Sequence, residues 1–418
     1  MIFDLVVIGG GAGGFFAAVR MAEICPGTSI CILESARKPL SKVEISGGGR
    51  CNVTHACFDP EELIKFYPRG QEALLEPFRR FQPKDVIDWF LSKGVRLKKE
   101  NDGRMFPVTD QSSTIINCFM KAAERTGIQL LTSTRASAWV YDETTDNWKI
   151  TLFDGKTLTS KVLLVATGSD QRTWDILKLT GHHLIPPVPS LFTFNIRDTA
   201  LTDLQGISLI NTRVSIPSLH LETSGPLLIT HWGLSGPAIL KLSAWGAREL
   251  FQCGYVFDVQ VNWRGNEQRD EFRKWLLAST KLNTRKRVNN LIVSDIPSRL
   301  WKYFCSRAGI PEAANGSEMG NKFLDKLADT VCRDTYRVTG KSTFKDEFVT
   351  AGGVDLNDIN MVNFESKICP GLFLVGEVLN IDALTGGFNF QSAWTGAELA
   401  ANAMAGQLNC QPPPPSEL

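Results

Sequence analysis

The stretch "DLVVIGGGAGGFFAAVRMAEI" (residues 4–24) predicts a buried strand, a glycine turn and a helix in direct succession. Its first part is a continuous apolar run, which is typical of a parallel strand covered on both faces. Gly9, Gly11 and Gly14 have the spacing at which the first glycine makes the turn, the second admits a pyrophosphate and the third lets the helix pack on the strand. "SICILE" (29–34) follows as the next strand. The pattern predicts a βαβ unit that binds a dinucleotide.

The acidic end of the second strand strengthens this interpretation. Glu34 stands where a carboxylate accepts hydrogen bonds from the adenosine ribose. The amino end of the helix supplies N–H groups for the phosphates. A glycine-rich turn without a ligand is the alternative, and the matched strand, helix and glutamate favour the dinucleotide. Only one such fingerprint is present, whereas separate domains for FAD and NAD(P)H normally show two.

The end of the chain favours a flavin as part of that dinucleotide. "LFLVGEVLN" (372–380) places Gly376 and Glu377 at a strand end, where the carboxylate is able to accept from a ribitol hydroxyl. "LTGGFNFQSAW" (384–394) places Gly387 at a helix start whose N–H groups would face the negative edge of a reduced flavin. A helix start that simply needs small residues is the alternative.

A third stretch, "SGGGRCN" (46–52), suits close contact with a cofactor. Consecutive glycines let the backbone approach a ligand, and Arg50 is a fixed cation for a pyrophosphate or a flavin edge. Asn52 offers both a donor and an acceptor. Cys51 is either a reactive thiol or a small buried filler, and the second interpretation is favoured because no partner base lies nearby in the sequence.

Four stretches together carry a family resemblance: "SGGGRCNVTH", "THWGLSGPAIL", "VTAGGVDL" and "GLFLVGEVLNIDALTGGFNFQSAWTGAELAA". They resemble the aminoacetone-oxidase-like family of NAD(P)/FAD-dependent oxidoreductases, which includes 3-dehydro-bile-acid reductases. The resemblance covers nearly the whole chain. It implies a two-part FAD domain with a β-barrel-like insert, which itself carries a small helical insert. Ser169 and Asn380 depart from the family pattern on the substrate side, so no substrate is carried over.

The fingerprint and the resemblance, matched position by position, predict the cofactor-binding residues. Ala136 would contribute through its backbone, to the adenine. The predicted residues are Gly9, Gly11, Ala12, Gly13, Gly14, Glu34, Ser35, Lys42, Gly48, Gly49, Arg50, Cys51, Asn52, Ala136, Thr167, Gly168, Gly376, Glu377, Gly387, Phe388 and Asn389.

The fold class predicted is α/β, with a discontinuous Rossmann-like FAD-binding domain. From about residue 191, short β-like runs separated by Pro, Gly and Ser indicate a small antiparallel sheet or barrel. The predicted divisions are 1–190 with 348–410 for the FAD-binding domain, 191–264 with 336–347 for the barrel-like insert, 265–335 for the helical insert, and 411–418 for a disordered proline-rich tail.

Histidines offer one weak catalytic candidate and no metal site. His231 lies in a family stretch beside a glycine and hydroxyl side chains, where a general acid near a flavin would be useful, although a structural histidine is the favoured alternative. His182 and His183 have no carboxylate or thiol at ligand spacing, so no metal is predicted.

Residues 264–307 hold eleven Lys or Arg against four Asp or Glu. This excess allows a nucleic-acid-binding interpretation. A solvated helical face is favoured instead, because Trp275, Trp301 and Tyr303 fall among apolar residues and are expected to form a small core. Nucleic acid is therefore not the expected partner.

Composition sets the broad class. Hydrophobic residues make up 43% and charged residues 21%, with a net charge of +1, as in ordinary globular proteins. The ten irregularly spaced cysteines favour free thiols in a reducing compartment over a disulfide framework. No apolar run is long enough for a membrane span. A soluble cytoplasmic protein is expected.

These observations lead to one functional hypothesis with two alternatives. The chain is expected to be an enzyme, an oxidoreductase that holds FAD noncovalently, is reduced by NADH or NADPH, and reduces a small unsaturated or carbonyl-conjugated substrate. The first alternative is an amine oxidase that uses oxygen. The second, from another class, is an FAD-containing RNA-binding or redox-sensing protein that uses residues 264–307.

Overall fold

The computed structural model describes residues 2–342 and 349–410 of the chain. The proline-rich tail predicted at 411–418 lies outside these residues. The chain divides into two compact units. The first consists of Met1–Val188 together with Lys345–Leu418, and the second consists of Pro189–Phe344.

Strands and helices alternate in the first unit, and strands dominate the start of the second. The strands are β1 (Ile2–Ile8), β2 (Ile30–Leu33), β3 (Thr54–His55), β4 (Leu97–Lys99), β5 (Arg104–Pro107), β6 (Gln129–Leu131), β7 (Ala136–Asp142), β8 (Asn147–Leu152), β9 (Thr157–Val165), β10 (Leu184–Ser190), β11 (Thr193–Ile196), β12 (Ser208–Ile216), β13 (Leu221–Thr230), β14 (Gly233–Ser235), β15 (Phe257–Asn262), β16 (Asp334–Ser342), β17 (Val349–Val354), β18 (Ile359–Asn360), β19 (Glu365–Ser366) and β20 (Leu372–Leu374). The helices are α1 (Ala12–Ile24), α2 (Ser41–Gly49), α3 (Pro60–Leu63), α4 (Leu75–Arg80), α5 (Pro83–Ser92), α6 (Ser112–Arg125), α7 (Gln171–Leu179), α8 (Thr199–Thr202), α9 (Pro237–Trp245), α10 (Ala247–Gln252), α11 (Arg269–Leu282), α12 (Ser298–Arg307), α13 (Asn321–Cys332) and α14 (Phe388–Gln407).

The first unit is built on one sheet with the order β18-β19-β20-β9-β1-β2-β6. Strands β20, β9, β1, β2 and β6 run parallel to one another, so their carboxyl ends share one edge. Leu5, Val6 and Val7 of β1 are fully buried, as expected for a strand covered on both faces. The β1–α1–β2 start predicted from the glycine spacing is confirmed.

Helices α1 and α14 pack against each other beside this sheet. The guanidinium of Arg20 in α1 donates to both carboxylate oxygens of Glu398 in α14, at 2.6 and 2.9 Å. The two helices come from opposite ends of the chain, so the first unit, which contains the Rossmann-like sheet, is discontinuous in sequence, as predicted.

One pair of cysteines departs from the expectation of free thiols. Cys25, just after α1, and Cys410, after α14, form a disulfide, with their Cα atoms 5.6 Å apart. The remaining eight cysteines are free. The pairing depends on two helix ends that are 385 residues apart in sequence, and the spacing of the cysteines does not show it.

The second unit contains a closed antiparallel barrel with the order β11-β14-β13-β12-β15-β16, which confirms the barrel-like insert. Alternate residues of β15, including Val259 and Val261, point into its core. The side chains of α11, α12 and α13 join the same core, among them Trp301 and Phe304. Trp301 and Tyr303 are buried, as the sequence predicts, whereas Trp275 is partly exposed.

Within the described part of the chain, no helix is both long enough and apolar enough to cross a membrane.

Candidate cofactor site

The glycine turn after β1 divides into positions that need glycine for the fold and one that faces open space. A Cβ on Gly9, which has φ +110°, would lie 2.4 Å from the carbonyl oxygen of Ala166. A Cβ on Gly14 would lie 2.0 Å from the carbonyl oxygen of Gly9. Gly11 caps α1, and a Cβ there would meet only Ala166, at 4.0 Å. Gly9 and Gly14 therefore build the turn, while Gly11 leaves a free approach to the helix start.

Glu34, directly after β2, is held against this turn by its own carboxylate. Oε2 accepts from the N–H of Gly10 at 2.9 Å, and Oε1 accepts from the N–H of Ala36 at 2.6 Å. Ser35 also donates weakly to Oε1, at 3.4 Å. The backbone N–H of Thr134 donates to the carbonyl of Glu34 at 2.8 Å, which brings Ala136, at the start of β7, to this side of the sheet.

Residues from three other segments meet at the neighbouring strand ends. Lys42 Nζ of α2 lies 2.5 Å from Glu377 Oε2, which follows β20. A Cβ on Gly168, after β9, would lie 3.7 Å from the same carboxylate oxygen and 4.0 Å from Lys42 Nζ. The adjacent Thr167 Oγ1 is buried with no partner in the described chain. An unpaired buried hydroxyl, next in sequence to a glycine that faces a lysine and a glutamate, indicates a site for a polar ligand.

Residues 46–52, where the end of α2 kinks into a loop, have left-handed backbone at four positions. Gly47, Gly48 and Gly49 have φ of +58°, +68° and +83°, and Cys51 has φ +62°. A Cβ on Gly47 would lie 2.8 Å from the Phe106 ring, whereas Gly48 and Gly49 face open space. Burial raises the pKa of Cys51 to about 12, which is the environment of a packing residue and not of a thiolate nucleophile.

Arg50 is engaged by acidic side chains. Its Nη1 lies 2.6 Å from Glu100 Oε1 and 3.5 Å from Asp110 Oδ1. The guanidinium also lies 3.9 Å from the centre of the Phe106 ring. The structure thus brings Arg50 to two carboxylates, and an anionic ligand would have to compete with them.

Asn52 links this loop to the start of α14. With the amide orientation assigned from its hydrogen-bonding partners, Asn52 donates to the carbonyl of Thr54 at 3.1 Å and accepts from the N–H of Gly387 at 3.0 Å. Gly387 has φ +90°, and a Cβ there would lie 2.6 Å from the Thr54 carbonyl oxygen. The two glycine-rich stretches that the sequence singles out therefore pack directly against each other.

Further side chains fix the first turns of α14. Asn389 makes two hydrogen bonds with the backbone of Ala383, at 2.9 and 3.1 Å. Tyr67 OH donates to the carbonyl of Phe388 at 2.6 Å, and Thr54 Oγ1 donates to Gln391 at 2.6 Å. The sequence analysis missed Tyr67 and Gln391, because their partners lie more than 300 residues away.

His55 is a second residue that the sequence analysis missed. Its ring stacks on Phe388, with centroids 4.6 Å apart, and its Nε2 lies 3.0 Å from the carbonyl oxygen of Asp102. Its Nδ1 is buried without a partner in the described chain, and burial lowers the pKa of this histidine. The neutral ring therefore donates through Nε2. Its position directly after the "SGGGRCNVT" stretch was the available signal.

Two other histidines, His231 and His182, lie in different settings. His231 occupies the exposed turn between β13 and β14 of the second unit, with its ring 4.6 Å from that of Trp232. His182 is buried, its Nε2 2.8 Å from Ser366 Oγ and its Nδ1 3.2 Å from the carbonyl oxygen of Leu177. In the described residues, no group of three or more His, Cys, Asp or Glu side chains is arranged to hold a metal ion.

The arrangement in the first unit fits a dinucleotide cofactor. Gly11 leaves room at the helix start after β1, and Glu34 follows β2 on one side of β1. Thr167 and Gly168, with Lys42 nearby, follow β9 on the other side of β1. All of these residues follow parallel strands or flank their carboxyl ends, which is where ligands bind in open α/β sheets. The fold and the site define a Rossmann-like FAD-binding protein.

The chain belongs to the HI0933-like family. The family model "HI0933-like protein Rossmann domain" matches residues 3–403. The ribosomal RNA dihydrouridine synthase of Escherichia coli (strain K12) is 26% identical over 94% of this chain and 96% of its own length. The 3-dehydro-bile acid delta(4,6)-reductase of Clostridium scindens is 23% identical over 96% of this chain and 98% of its own.

Two solved structures share the fold. A 3-ketosteroid-delta4-(5alpha)-dehydrogenase from Rhodococcus jostii RHA1 has a TM-score of 0.52 at 13% identity, covering 97% of each chain. The open conformation of a flavocytochrome c3 fumarate reductase has a TM-score of 0.50 at 15% identity, covering 97% of this chain and 78% of that one. The family indicates an FAD-dependent oxidoreductase, which confirms the predicted enzyme class and the predicted flavin, while the two solved structures show the shared fold alone.

Proposed function

We propose that this oxidoreductase takes a hydride from NADH or NADPH and reduces a carbon–carbon double bond conjugated to a carbonyl group. Bound FAD would supply the two-electron chemistry that connects the two substrates. In the balanced reaction, the nicotinamide loses a hydride, one alkene carbon gains it, and the neighbouring carbon gains a proton. The aminoacetone-oxidase-like grouping stays a prediction beside this proposal.

The residues that would hold FAD divide between its two ends. Gly9, Gly11, Gly14 and Glu34 are proposed for the pyrophosphate and the adenosine ribose. The Lys42–Glu377 pair, with Thr167 and Gly168, is proposed for the ribitol and its phosphate. Lys42 is half exposed and Glu377 is mostly covered, at 51% and 16% of the side chain, so the ammonium is free to turn toward an incoming phosphate.

The start of α14 is the observation that carries the proposal. Its N-cap residue, Gly387, has no side chain, and its backbone N–H is taken by Asn52. The N–H groups of the first turn, at Phe388, Asn389 and Phe390, have no partner within the described chain. Such a helix end carries a partial positive charge, which stabilises negative charge developing on an isoalloxazine ring or on a substrate carbonyl.

The curated relatives support the same substrate chemistry. Formation of dihydrouridine from uridine saturates a double bond conjugated to a ring carbonyl. The name of the bile-acid reductase likewise specifies reduction of double bonds in a 3-dehydro compound, where a ketone is conjugated to them. Conjugate reduction is therefore the chemistry that these two names share.

The test is an anaerobic stopped-flow experiment on the FAD-loaded protein. Mixing with NADH or NADPH is expected to bleach the oxidised flavin band, and a conjugated enone or a uridine-containing substrate is expected to restore it. A Glu377→Gln variant loaded with FAD serves as the site variant, and Glu222→Gln, an exposed residue of the second unit, serves as its control. Absence of bleaching with both nucleotides, with bleaching by an amine instead, would contradict the proposal and favour an oxidase.

A further inference from the structure

We propose that Lys281, Arg285, Lys286 and Arg287 form a surface that binds the backbone phosphates of structured RNA. We call these four residues the 281–287 cluster. This proposal rests on the proposed function, because the reaction is still the reduction of a double bond conjugated to a carbonyl group. It adds the class of molecule, RNA, that would contain the ring to be reduced. Three observations support the proposal: the positive charge of this segment, the exposure of its side chains and the hydrogen bonds that hold its backbone.

Ion pairs inside the second unit separate the basic residues of 264–307 into two groups. Four arginines are neutralised by carboxylates: two of the pairs connect α11 with α13, one connects α12 with β16, and one is local to the turn after β15. The pairs are Arg264–Glu267 at 2.6 Å, Arg269–Asp329 at 2.8 Å, Arg273–Asp325 at 2.5 Å and Arg307–Asp334 at 2.8 Å. These arginines behave as the solvated helical face that the sequence favours, and they carry no free charge for a ligand.

The 281–287 cluster is different. It contains four cations in seven residues, "KLNTRKR", with no acidic residue among them. All four side chains are exposed, and none takes part in an ion pair with any residue of the described chain. Exposed cations without partners are available to replace the counterions that a polyanion releases on binding.

The backbone under the cluster is held in place. The N–H of Lys286 donates to the carbonyl of Asn283 at 3.0 Å, closing the turn that follows α11. From the neighbouring segment, Gly316 donates to the carbonyl of Lys286 and Ser317 to that of Thr284, each at 3.1 Å. The cluster is therefore presented from a fixed turn, so that less ordering is needed when phosphates bind.

Acidic groups near the turn do not cancel this charge. Glu312 and Glu318 lie on the segment that faces it, and both are exposed. Glu318 accepts from the backbone N–H of Asn315 at 2.7 Å as part of a local cap. The cluster therefore contributes four positive charges, and the facing segment contributes only two negative charges.

The helix that leads to the cluster adds an aromatic surface. Trp275 of α11 is 37% exposed and stacks on Phe272, with centroids 5.4 Å apart and planes 15° from parallel. Leu282, two turns further along the same face, is 85% exposed. Lys274 and Lys281 lie two turns apart on the adjacent face and are both exposed. Cations beside a partly exposed indole suit a nucleic acid, which offers phosphates and stacking bases together.

The test measures binding of a fluorescent RNA stem–loop with unpaired uridines by the full-length FAD-loaded protein over a range of salt concentrations. The test variant is Lys281→Ala/Arg285→Ala/Lys286→Ala/Arg287→Ala. The matched control removes four exposed lysines of the first unit that have no ion pair in the described chain: Lys84→Ala/Lys121→Ala/Lys149→Ala/Lys178→Ala.

The test variant is expected to bind at least tenfold more weakly, and the slope of log K against log salt is expected to fall by about 3 units, since four phosphate contacts contribute about 0.7–0.9 each. The control variant should bind like the original protein. Equal affinity of the test variant and the original protein would overturn the proposal. Equally tight binding of heparin or of anionic vesicles would also overturn it, because the surface would then not select RNA.

The two proposals fail in different ways. Flavin bleaching by NADH is measured on the unsubstituted protein without RNA, so its absence contradicts only the proposed reductase. Loss of the RNA proposal leaves that half-reaction untouched. Thermal unfolding of the original protein, the test variant and the control variant is followed by circular dichroism. Equal unfolding temperatures show that a loss of RNA binding comes from the missing side chains and not from unfolding.

Discussion

The glycines of the turn after β1 differ in whether the fold requires them. Gly14 is needed by the fold, because any side chain there would collide with the turn that Gly9 makes. Gly11 is not needed in this way, since it has an ordinary negative φ of −88° and faces open space. The difference separates glycines that the fold requires from Gly11, whose missing side chain is proposed to leave room for the pyrophosphate of the cofactor.

We therefore expect Gly14→Ala and Gly11→Ala to fail differently. Gly14→Ala should lower the thermal midpoint and the yield of folded protein, because the new methyl carbon would lie 2.0 Å from a carbonyl oxygen. Gly11→Ala should leave the midpoint of the FAD-free protein unchanged and weaken FAD binding by at least about tenfold, which is about 1.4 kcal/mol. Calorimetry and flavin fluorescence titration check both. Normal FAD affinity in Gly11→Ala would contradict the placement of the pyrophosphate at this turn.

The buried His182 predicts how stability depends on pH. Burial lowers the pKa of this histidine below its ordinary value of 6.5, although a hydrogen bond to Leu177 opposes the shift. Below pH 6.5 the unfolded chain takes up the proton first, so stability falls as the pH drops from 6.5 toward the lower folded pKa. His182→Gln should reduce that fall. Burial also lowers the pKa of His55, so that histidine contributes in the same direction.

Urea unfolding at several pH values between 5 and 8 would measure this effect. His220→Asn is the control, because His220 lies in an exposed turn with φ +53°, a backbone conformation that asparagine tolerates. An unchanged slope in His182→Gln would show that the buried ring does not control the acid sensitivity.

At the scale of elements, helix α14 depends on a contact with a distant loop. Asn52 binds both the Thr54 carbonyl and the Gly387 N–H, and it is nearly buried. Since the helix start is proposed to stabilise negative charge near the flavin, its orientation should affect redox behaviour as well as stability.

Asn52→Ala is expected to lower the free energy of unfolding by about 1–3 kcal/mol, because two buried partners are left unpaired. It should also shift the flavin reduction potential to a more negative value. Asn402→Ala is the control, since Asn402 bonds to Glu398 at the opposite end of the same helix and is exposed. Denaturant titration and equilibration with a reference dye provide the two readouts. A potential equal to that of the original protein would contradict the role proposed for the helix start.

The elements also show what sequence reasoning was able to predict. The β1 turn and the Glu34 strand end were predictable, because their glycine spacing reflects steric needs within a few residues of the chain. The partners of Arg50 were not, since Glu100 lies 50 residues away and a free cation was expected. The link between Asn52 and Gly387 was also unpredicted. Both stretches are predicted separately to bind the cofactor, and only the packing of α14 on β3 brings them together.

At the scale of the whole molecule, the two units have separate hydrophobic cores. The core of the first unit includes Val7, Phe16 and Trp394, and that of the second includes Trp263, Trp301 and Leu327. A ligand that binds only the folded form of one unit raises the stability of that unit by mass action. FAD should therefore raise the unfolding temperature only of the unit that contains its binding site.

We expect two thermal transitions in calorimetry of the FAD-free protein, one for each core. Free FAD at 100 times its dissociation constant should stabilise the first unit by about 2.7 kcal/mol. The transition of the second unit should stay in place, because every residue proposed for the cofactor belongs to Met1–Val188 or Lys345–Leu418. Gly11→Ala should lose most of the FAD-dependent shift while keeping both transitions. A Trp301→Phe variant, which weakens the core of the second unit, identifies the transition of that unit. If FAD raised the temperature of that transition alone, the cofactor site would lie in the second unit, and the proposed roles of Glu34 and Lys42 would be wrong.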